Sequence, residues 1–336
     1  MYSNLSEDAL YCLFTEKKWS SMNEDMRLSA LQEVECRMAV KQGRPVCKIH
    51  AEAMPARNLG SFDGSGITLN SSLLRNPRSL FGKIRNHGGI SALDTVIHEG
   101  RHAFQYAVIS NKTTVKVSAA TRRAWALNTV AYMSGKGVVA FSMYAFQPIE
   151  RDARGYAARE MSRIYRSILR TDGHSDPLFE KGLEQLRKEK EKEYLYARTF
   201  LNEENIKENL AILQFKTRLL YGMNVSVPVF GENIPVQELF ADCGITEDAI
   251  GDLLEEQVAD HRAILRGEKS LDAYMDGLIG GDDAPDTPDA PDDFSDSDPP
   301  TETLDELVAR LLGSKPVKDG SASSVKVRPD GVKHRF

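Results

Sequence analysis

Residues 93–105 read LDTVIHEGRHAFQ, and the organisation of the chain can be worked out from this stretch. Apolar residues recur at three- and four-residue steps, which predicts a helix with one buried face; they are Leu93, Val96, Ile97, Ala103, Phe104, Ala107 and Val108. His98 and His102 then lie one turn apart on one side of the helix, so both rings can reach a single metal ion. Glu99 is rotated away from them, where a general base that activates water would stand.

The residues before this helix predict where it begins. Gly88 and Gly89 interrupt the chain, Ser91 suits an N-cap, and Asp94 follows three residues later as in a capping box. Two histidines one turn apart can also be ordinary core residues. The capped helical context favours a metal site over that interpretation.

The composition is that of a globular protein, with 41% hydrophobic and 27% charged residues. No apolar run has the length of a membrane span, and residues 1–8 lack the pattern of a signal peptide. The cysteines show no C-x-x-C spacing, which is typical of reduced thiols; they are Cys12, Cys36, Cys47 and Cys243. We therefore expect a cytoplasmic protein that does not enter a membrane, and export as an effector or toxin without a cleaved signal stays open.

A small sheet is predicted ahead of the motif helix. Residues 46–53 alternate in polarity, which is typical of a strand. Residues 58–62 and 67–70 flank Asp63-Gly64-Ser65-Gly66, a good hairpin signal. The edge of this sheet would accept an extended peptide as a further strand if the protein is a peptidase, and otherwise the sheet serves to cover the helix.

A second helix carries the candidate third ligand. Pro148 suits the first turn of a helix, and Glu150 heads an otherwise apolar stripe that continues through Ala153, Ala157, Met161, Ile164 and Ile168. Because a buried unpaired carboxylate is costly, Glu150 needs a partner such as a metal ion. Asp152 is the competing ligand. It lies on nearly the opposite side of the helix, where it is expected to pair with Arg101 or Arg151 or to orient a ligand histidine.

The two motifs together, H-E-x-x-H and a downstream helix with E-x-x-A-x-x-aromatic-A, resemble the gluzincin-type zinc metallopeptidases, most nearly the ImmA/IrrE-like group. The resemblance covers residues 45–170. It implies an α+β zincin-like fold and a Zn²⁺ site, with His98, His102 and Glu150 as the metal ligands and Glu99 as the catalytic base. The long gap before Glu150 departs from the family and implies an inserted helix over residues 118–133. No helix-turn-helix domain is recognised, so cleavage of a repressor is not implied.

Helices are also predicted outside the two motifs. Residues 5–18 and 23–42 have helical spacing, and residues 176–224 form a long helical region with a charged middle. Residues 226–267 read as a small helical cluster with turns at Pro228 and Pro235. The predicted division is a zincin-like metallopeptidase domain, a helical extension and a tail, over residues 1–175, 176–270 and 271–336.

The tail has its own composition. Residues 272–306 contain eleven Asp and two Glu but neither Lys nor Arg, so the remainder of the chain is basic although the total charge is −6. Repeated Asp and Pro predict disorder over residues 271–336. A short amphipathic helix near residues 301–313 is a candidate for docking on a protein partner.

The expected activity is zinc-dependent hydrolysis of a peptide bond in a protein or peptide substrate. Three ligands and no nearby cysteine favour an open catalytic site over a closed structural one. The alternative is a non-enzymatic interaction protein whose metal site is structural or a relic, with the basic helix and acidic tail binding partners. Nucleic acid is not an expected partner, because no binding module accompanies the arginines. Four residues are candidates for stabilising an oxyanion: Tyr132, Tyr144, Tyr156 and His87.

Overall fold

The computed structural model describes residues 2–55, 58–75, 88–133, 138–172 and 176–268. Within these ranges the chain is mixed α+β and mostly helical, with a small sheet ahead of the motif helix. Residues 271–336, with the helix expected near 301–313, lie outside the described residues, as does His87.

The chain begins with three helices: α1 (Glu7–Tyr11), α2 (Glu16–Ser21) and α3 (Glu24–Lys41). The side chain of Asn23 caps α3 by accepting a hydrogen bond from the Met26 amide. The helix expected over residues 23–42 is confirmed. The single helix expected over residues 5–18 is wrong, because Thr15 takes an extended conformation and separates α1 from α2.

The sheet contains β1 (Lys48–Glu52), β2 (Gly60–Phe62) and β3 (Gly66–Asn70) in the order β1-β3-β2. β3 pairs parallel with β1 and antiparallel with β2, and it is buried along its whole length. The carboxylate of Asp63 holds the turn of the hairpin by accepting hydrogen bonds from the amides of Ser65 and Gly66. The predicted strand and hairpin are confirmed, and β2 is left at one edge of the sheet.

Four helices follow: α4 (Gly88–Ile109), α5 (Ala119–Val130), α6 (Val138–Phe146) and α7 (Pro148–Asp172). The helix expected over residues 118–133 corresponds to α5, and Pro148 does open α7. α4 begins at Gly88, so Ser91 and Asp94 lie inside it and the predicted capping box is wrong. Gly89 does not break the helix.

Close packing explains the glycine at position 89. A Cβ atom there would lie 3.0 Å from the carbonyl oxygen of Phe14 and 3.0 Å from the ring of Trp19. A side chain at this position would therefore push the start of α4 away from the N-terminal helices. The glycine pair marks a close contact rather than a helix boundary.

α4 and α7 pack against each other and form the centre of the fold. Ala153 and Ala157 are fully buried, and their small side chains allow the two helices to approach closely. The whole stripe predicted for α7 is buried: Glu150, Ala153, Ala157, Met161, Ile164 and Ile168. Burial of each of the three large apolar side chains contributes about 1.5–3 kcal/mol to this packing.

The C-terminal part of the described chain contains α8 (Pro177–Thr199), α9 (Glu203–Gly222), β4 (Ser226–Val229), β5 (Glu232–Pro235), α10 (Val236–Asp242) and α11 (Ile250–Leu265). The β4–β5 hairpin was not predicted. Pro228 and Pro235 lie within its strands instead of marking turns, because a proline without an N–H is tolerated in an edge strand. Phe230 and Gly231 form the turn with φ values of 47° and 83°.

Two apolar clusters form the core and meet at α4. One joins the N-terminal helices and the sheet to the first half of α4 and most of α7. The other joins the second half of α4 to α5, to α6, to the C-terminal end of α8 and to the elements that follow α8. Contacts group the described residues into one compact unit, within Met1–Ala284. The boundary expected at residue 175 stays a prediction.

Among the described residues, no helix combines the length and the apolar character needed to cross a membrane.

A buried histidine makes the stability of the fold depend on pH. Burial and the charge of Arg151 lower the pKa of His261 to about 4, and this side chain is 2% exposed. The unfolded chain takes up a proton at a higher pH than the folded chain, so folding stability falls as the pH falls towards 4. Between about pH 7 and about pH 5 this single group should cost about 2 kcal/mol. Urea unfolding at both pH values should show a smaller loss for His261→Leu, and an equal loss would contradict the assignment.

Candidate metal centre

The three candidate ligands converge from α4 and α7. The Nε2 atoms of His98 and His102, one turn apart on α4, are 3.1 Å from each other. Glu150, in the first turn of α7, places Oε2 3.5 Å from Nε2 of His98 and Oε1 3.5 Å from Nε2 of His102. One donor atom from each residue therefore lies within 4.8 Å of the other two. The structure brings together all three residues that the sequence predicts as ligands.

The spacing of these atoms fits a tetrahedral zinc ion. With bonds of about 2.0–2.1 Å, two ligand atoms of a tetrahedral site lie about 3.3 Å apart. The two Nε2 atoms, 3.1 Å apart, are close to that value, and each has one oxygen of Glu150 at 3.5 Å, Oε2 for His98 and Oε1 for His102. Two imidazoles and one carboxylate are also a donor set that zinc accepts.

Glu150 has an oxygen without a hydrogen bond. The residue is 1% exposed, and its Oε1 accepts a hydrogen bond of 2.7 Å from the hydroxyl of Tyr132. Its Oε2 is buried and accepts no hydrogen bond from the described residues. A buried carboxylate oxygen in that state is costly. A bound cation would satisfy it, so the residues present fit a metal ion.

Charge attraction dominates the electrostatics of the cluster. Burial alone would raise the pKa of Glu150, but the neighbouring His102, His98 and Arg154 hold it well below its usual value. Burial alone would lower the pKa of His98, and the carboxylates of Glu150 and Glu99 hold it above its usual value instead. The carboxylate of Glu150 is therefore ionised at neutral pH.

Two tyrosines and an arginine surround Glu150. Tyr132 packs edge to face against Tyr144, with ring centres 6.0 Å apart. The guanidinium of Arg154 lies 5.5 Å from the centre of the Tyr144 ring and 3.9 Å from Oε2 of Glu150. Burial and then the charge of Glu150 raise the pKa of Tyr144, with a smaller contribution from Glu99. Of the oxyanion candidates, Tyr132 and Tyr144 are thus at the cluster, whereas Tyr156 lies against Arg101.

Glu99 lies on α4 next to the edge strand β2. It is 8% exposed, and no described residue donates a hydrogen bond to its carboxylate. β2 can pass close to this turn of α4 because position 60 is glycine: a Cβ atom on Gly60 would lie 2.6 Å from Cγ2 of Thr95 and 3.5 Å from Cγ of Glu99. The candidate base and the edge strand β2 are therefore neighbours.

Asp152 faces away from the cluster into a buried ion pair. Its two carboxylate oxygens accept hydrogen bonds of 2.7 Å and 2.9 Å from the guanidinium of Arg101. Arg101 also lies over the rings of Phe104 and Tyr156. The pairing with Arg101 expected from the sequence is confirmed, and the contact leaves Glu150 as the carboxylate that faces the two histidines.

Other polar residues near the centre have roles that the sequence did not predict. Asp94 accepts a hydrogen bond of 2.7 Å from Lys190, which ties α4 to α8, so it does not contact a ligand histidine. Gln105 bonds to His102, and Arg154 pairs with Glu150. Each of these two follows a ligand by three or four residues along its helix, and that spacing was the available signal.

A cavity of about 560 Å³ lies between α7 and α8. Its lining includes Asp94 and Arg154, each one turn from a candidate ligand, together with other charged side chains and apolar ones such as Met161 and Leu186. None of the three candidate ligands lines it. The cavity therefore adjoins the cluster without being part of it.

No protein-family model, curated protein or solved structure matches this chain. A metal centre is inferred from the arrangement of His98, His102 and Glu150 alone.

Proposed function

We propose that this protein is a zinc-dependent metallopeptidase with a zincin-like core of the gluzincin type. The observation that carries the proposal is the convergence of His98, His102 and Glu150 within 4.8 Å of one another on two packed helices. Glu99 lies beside them, and no described residue donates a hydrogen bond to its carboxylate. A metal site with a neighbouring base is the arrangement that metal-assisted hydrolysis requires.

An open coordination position supports catalysis over a structural role. Structural zinc sites are usually closed by four protein ligands and are often rich in cysteine. The cluster within the described residues contains three ligands and no cysteine. A zinc ion held by these three residues would keep a fourth position for water or for the carbonyl oxygen of a substrate.

The chemistry divides between the metal and the side chains. When bound, zinc supplies a Lewis acid that polarises a carbonyl and lowers the pKa of water. Glu99 takes a proton from the attacking water and passes it to the nitrogen of the leaving amine as the C–N bond breaks. The hydroxyl of Tyr144 carries its proton at neutral pH, as an ordinary tyrosine does, so it can donate a hydrogen bond to the oxyanion.

An extended peptide is the substrate that the surroundings of Glu99 favour. β2 is an edge strand, and Gly60 lets it run beside Glu99. An unstructured segment that pairs with this edge by main-chain hydrogen bonds would cross the cluster. We infer that the protein cleaves flexible or unfolded segments of proteins.

The proposal is tested by the metal dependence of proteolysis. The full chain, supplied with zinc, is incubated with a reduced and alkylated protein, and new amino termini are counted. We expect cleavage that stops with 1,10-phenanthroline and returns when zinc is added back. Cleavage that continues in the chelator would contradict the zinc mechanism. A zinc-loaded protein that leaves a broad panel of unfolded proteins intact would favour the interaction-protein alternative.

A further inference from the structure

The side chain of Gln105 connects the two helices that carry the candidate ligands. It is fully buried on α4, one turn after His102. Its Oε1 lies 2.8 Å from Nδ1 of His102. Its Nε2 donates hydrogen bonds of 2.9 Å to the carbonyl of Ile149 and 2.7 Å to Oδ2 of Asp152. Both ends of one amide are thus occupied by groups around the cluster.

These contacts determine which way the amide points. The Ile149 carbonyl and the Asp152 carboxylate can only accept hydrogen bonds, so the NH₂ group of Gln105 must face them. Arg101 holds the carboxylate of Asp152 in place through two hydrogen bonds. The carbonyl oxygen of Gln105 must then face His102.

The orientation of the amide in turn determines the tautomer of His102. A carbonyl oxygen can only accept a hydrogen bond, so Nδ1 of His102 must carry a proton and donate a hydrogen bond to Oε1 of Gln105. In the neutral ring Nε2 then holds the lone pair. Nε2 is the atom that lies 3.1 Å from Nε2 of His98 and 3.5 Å from Glu150. The lone pair is therefore available where a metal ligand needs it.

The same amide acts on the other helix. Ile149 and Asp152 flank Glu150 in the first turn of α7. By holding one carbonyl and one carboxylate of that turn, Gln105 sets the position of Glu150 relative to His102. Removal of the amide takes one hydrogen-bond partner from Nδ1 of His102 and one from the Ile149 carbonyl, whereas Asp152 keeps Arg101.

We propose that Gln105 is a positioning residue that presents His102 Nε2 and Glu150 to one metal ion, with Arg101 and Asp152 holding its amide in the required orientation. This inference rests on the proposed zinc centre. Outer partners of a ligand histidine typically change metal affinity by about 10–100-fold when they are removed. We call the contacts that run from Asp152 through the Gln105 amide to His102 the relay. The amide is neutral, so the charge of Asp152 does not contact the ring directly.

Zinc affinity is the first measurement. Gln105→Leu removes both ends of the amide at similar volume, and competition with a chromophoric chelator should show zinc binding weakened about 10–100-fold. Gln32→Leu is the matched control. The amide of Gln32 also bridges two elements, bonding to the carbonyl of Cys47 and the amide of Ile49, but it does not contact a ligand. The control should bind zinc as the wild type does.

A second measurement needs no substitution at position 105. In zinc-loaded wild-type protein, nitrogen-15 NMR of the histidine rings should show His102 protonated at Nδ1 and bound through Nε2. Metal binding through Nδ1 would overturn the inference, as would unchanged zinc affinity in a folded Gln105→Leu variant. If the wild type binds no zinc, the zinc centre and the relay fall together. If the wild type binds zinc and Gln105→Leu binds it equally well, the proposed function stands without the relay.

Discussion

Glu99→Gln is expected to bind zinc like the wild type and to lose peptidase turnover by about 1,000-fold or more. The substitution keeps the size and shape of the side chain but removes its ability to take a proton. No described residue donates to the Glu99 carboxylate, so an amide can replace it without breaking a hydrogen bond. The fold and the three candidate ligands should therefore be unaffected.

Zinc content and turnover are to be measured on the same preparation of this variant. Glu33→Gln is a suitable control, because Glu33 is paired with Arg37 on α3 and does not contact the cluster. The control should retain both zinc and activity. Full activity in Glu99→Gln would rule out Glu99 as the base, and loss of zinc would show that it acts as a ligand instead.

The second large effect is expected from the histidines. Wild-type protein should contain about one zinc per chain, and His98→Ala/His102→Ala should contain almost none, since only Glu150 of the cluster remains. The double substitution also leaves the buried carboxylate of Glu150 without two of its neighbours. We therefore expect a measurable loss of stability in addition to the loss of metal.

Elemental analysis of folded protein measures this effect. His50→Ala provides the control, because His50 lies on β1 and bonds to Thr68 away from the cluster. The control should keep the zinc of the wild type. A well-folded wild type that contains no zinc after zinc is supplied would overturn the metal centre, and a double variant that keeps its zinc would show that the ion is held elsewhere.

Two features of the fold differ from what the local sequence patterns indicate. Gly88 and Gly89 were interpreted as a break, but Gly89 is needed for contact with Phe14 and Trp19. Pro228 and Pro235 were interpreted as turns, but they lie in the strands of an edge hairpin. At Gly89 a local preference was overruled by partners that are distant in the sequence, and local rules contain no term for them. The β4–β5 hairpin is local, and it was missed because its two prolines were taken as turn residues.

Sequence alone was sufficient for the ligand positions on α4 and α7 and for the β2–β3 hairpin. The 3.6-residue period places His98 and His102 on one side of α4, and the same period places Glu150 at the head of the buried stripe on α7. The turn at Asp63 predicted the β2–β3 hairpin in the same way. These features depend on residues that are close in the chain.

Only the tertiary structure decided which groups meet between helices. The packing of α4 on α7 sends Asp152 to Arg101 and leaves Glu150 facing the histidines. It also places the Gln105 amide between His102 and Asp152. The end of α5 and α6 bring Tyr132 and Tyr144 to Glu150. The rotation and separation of two packed helices depend on every side chain at their interface, whereas periodicity describes each helix by itself.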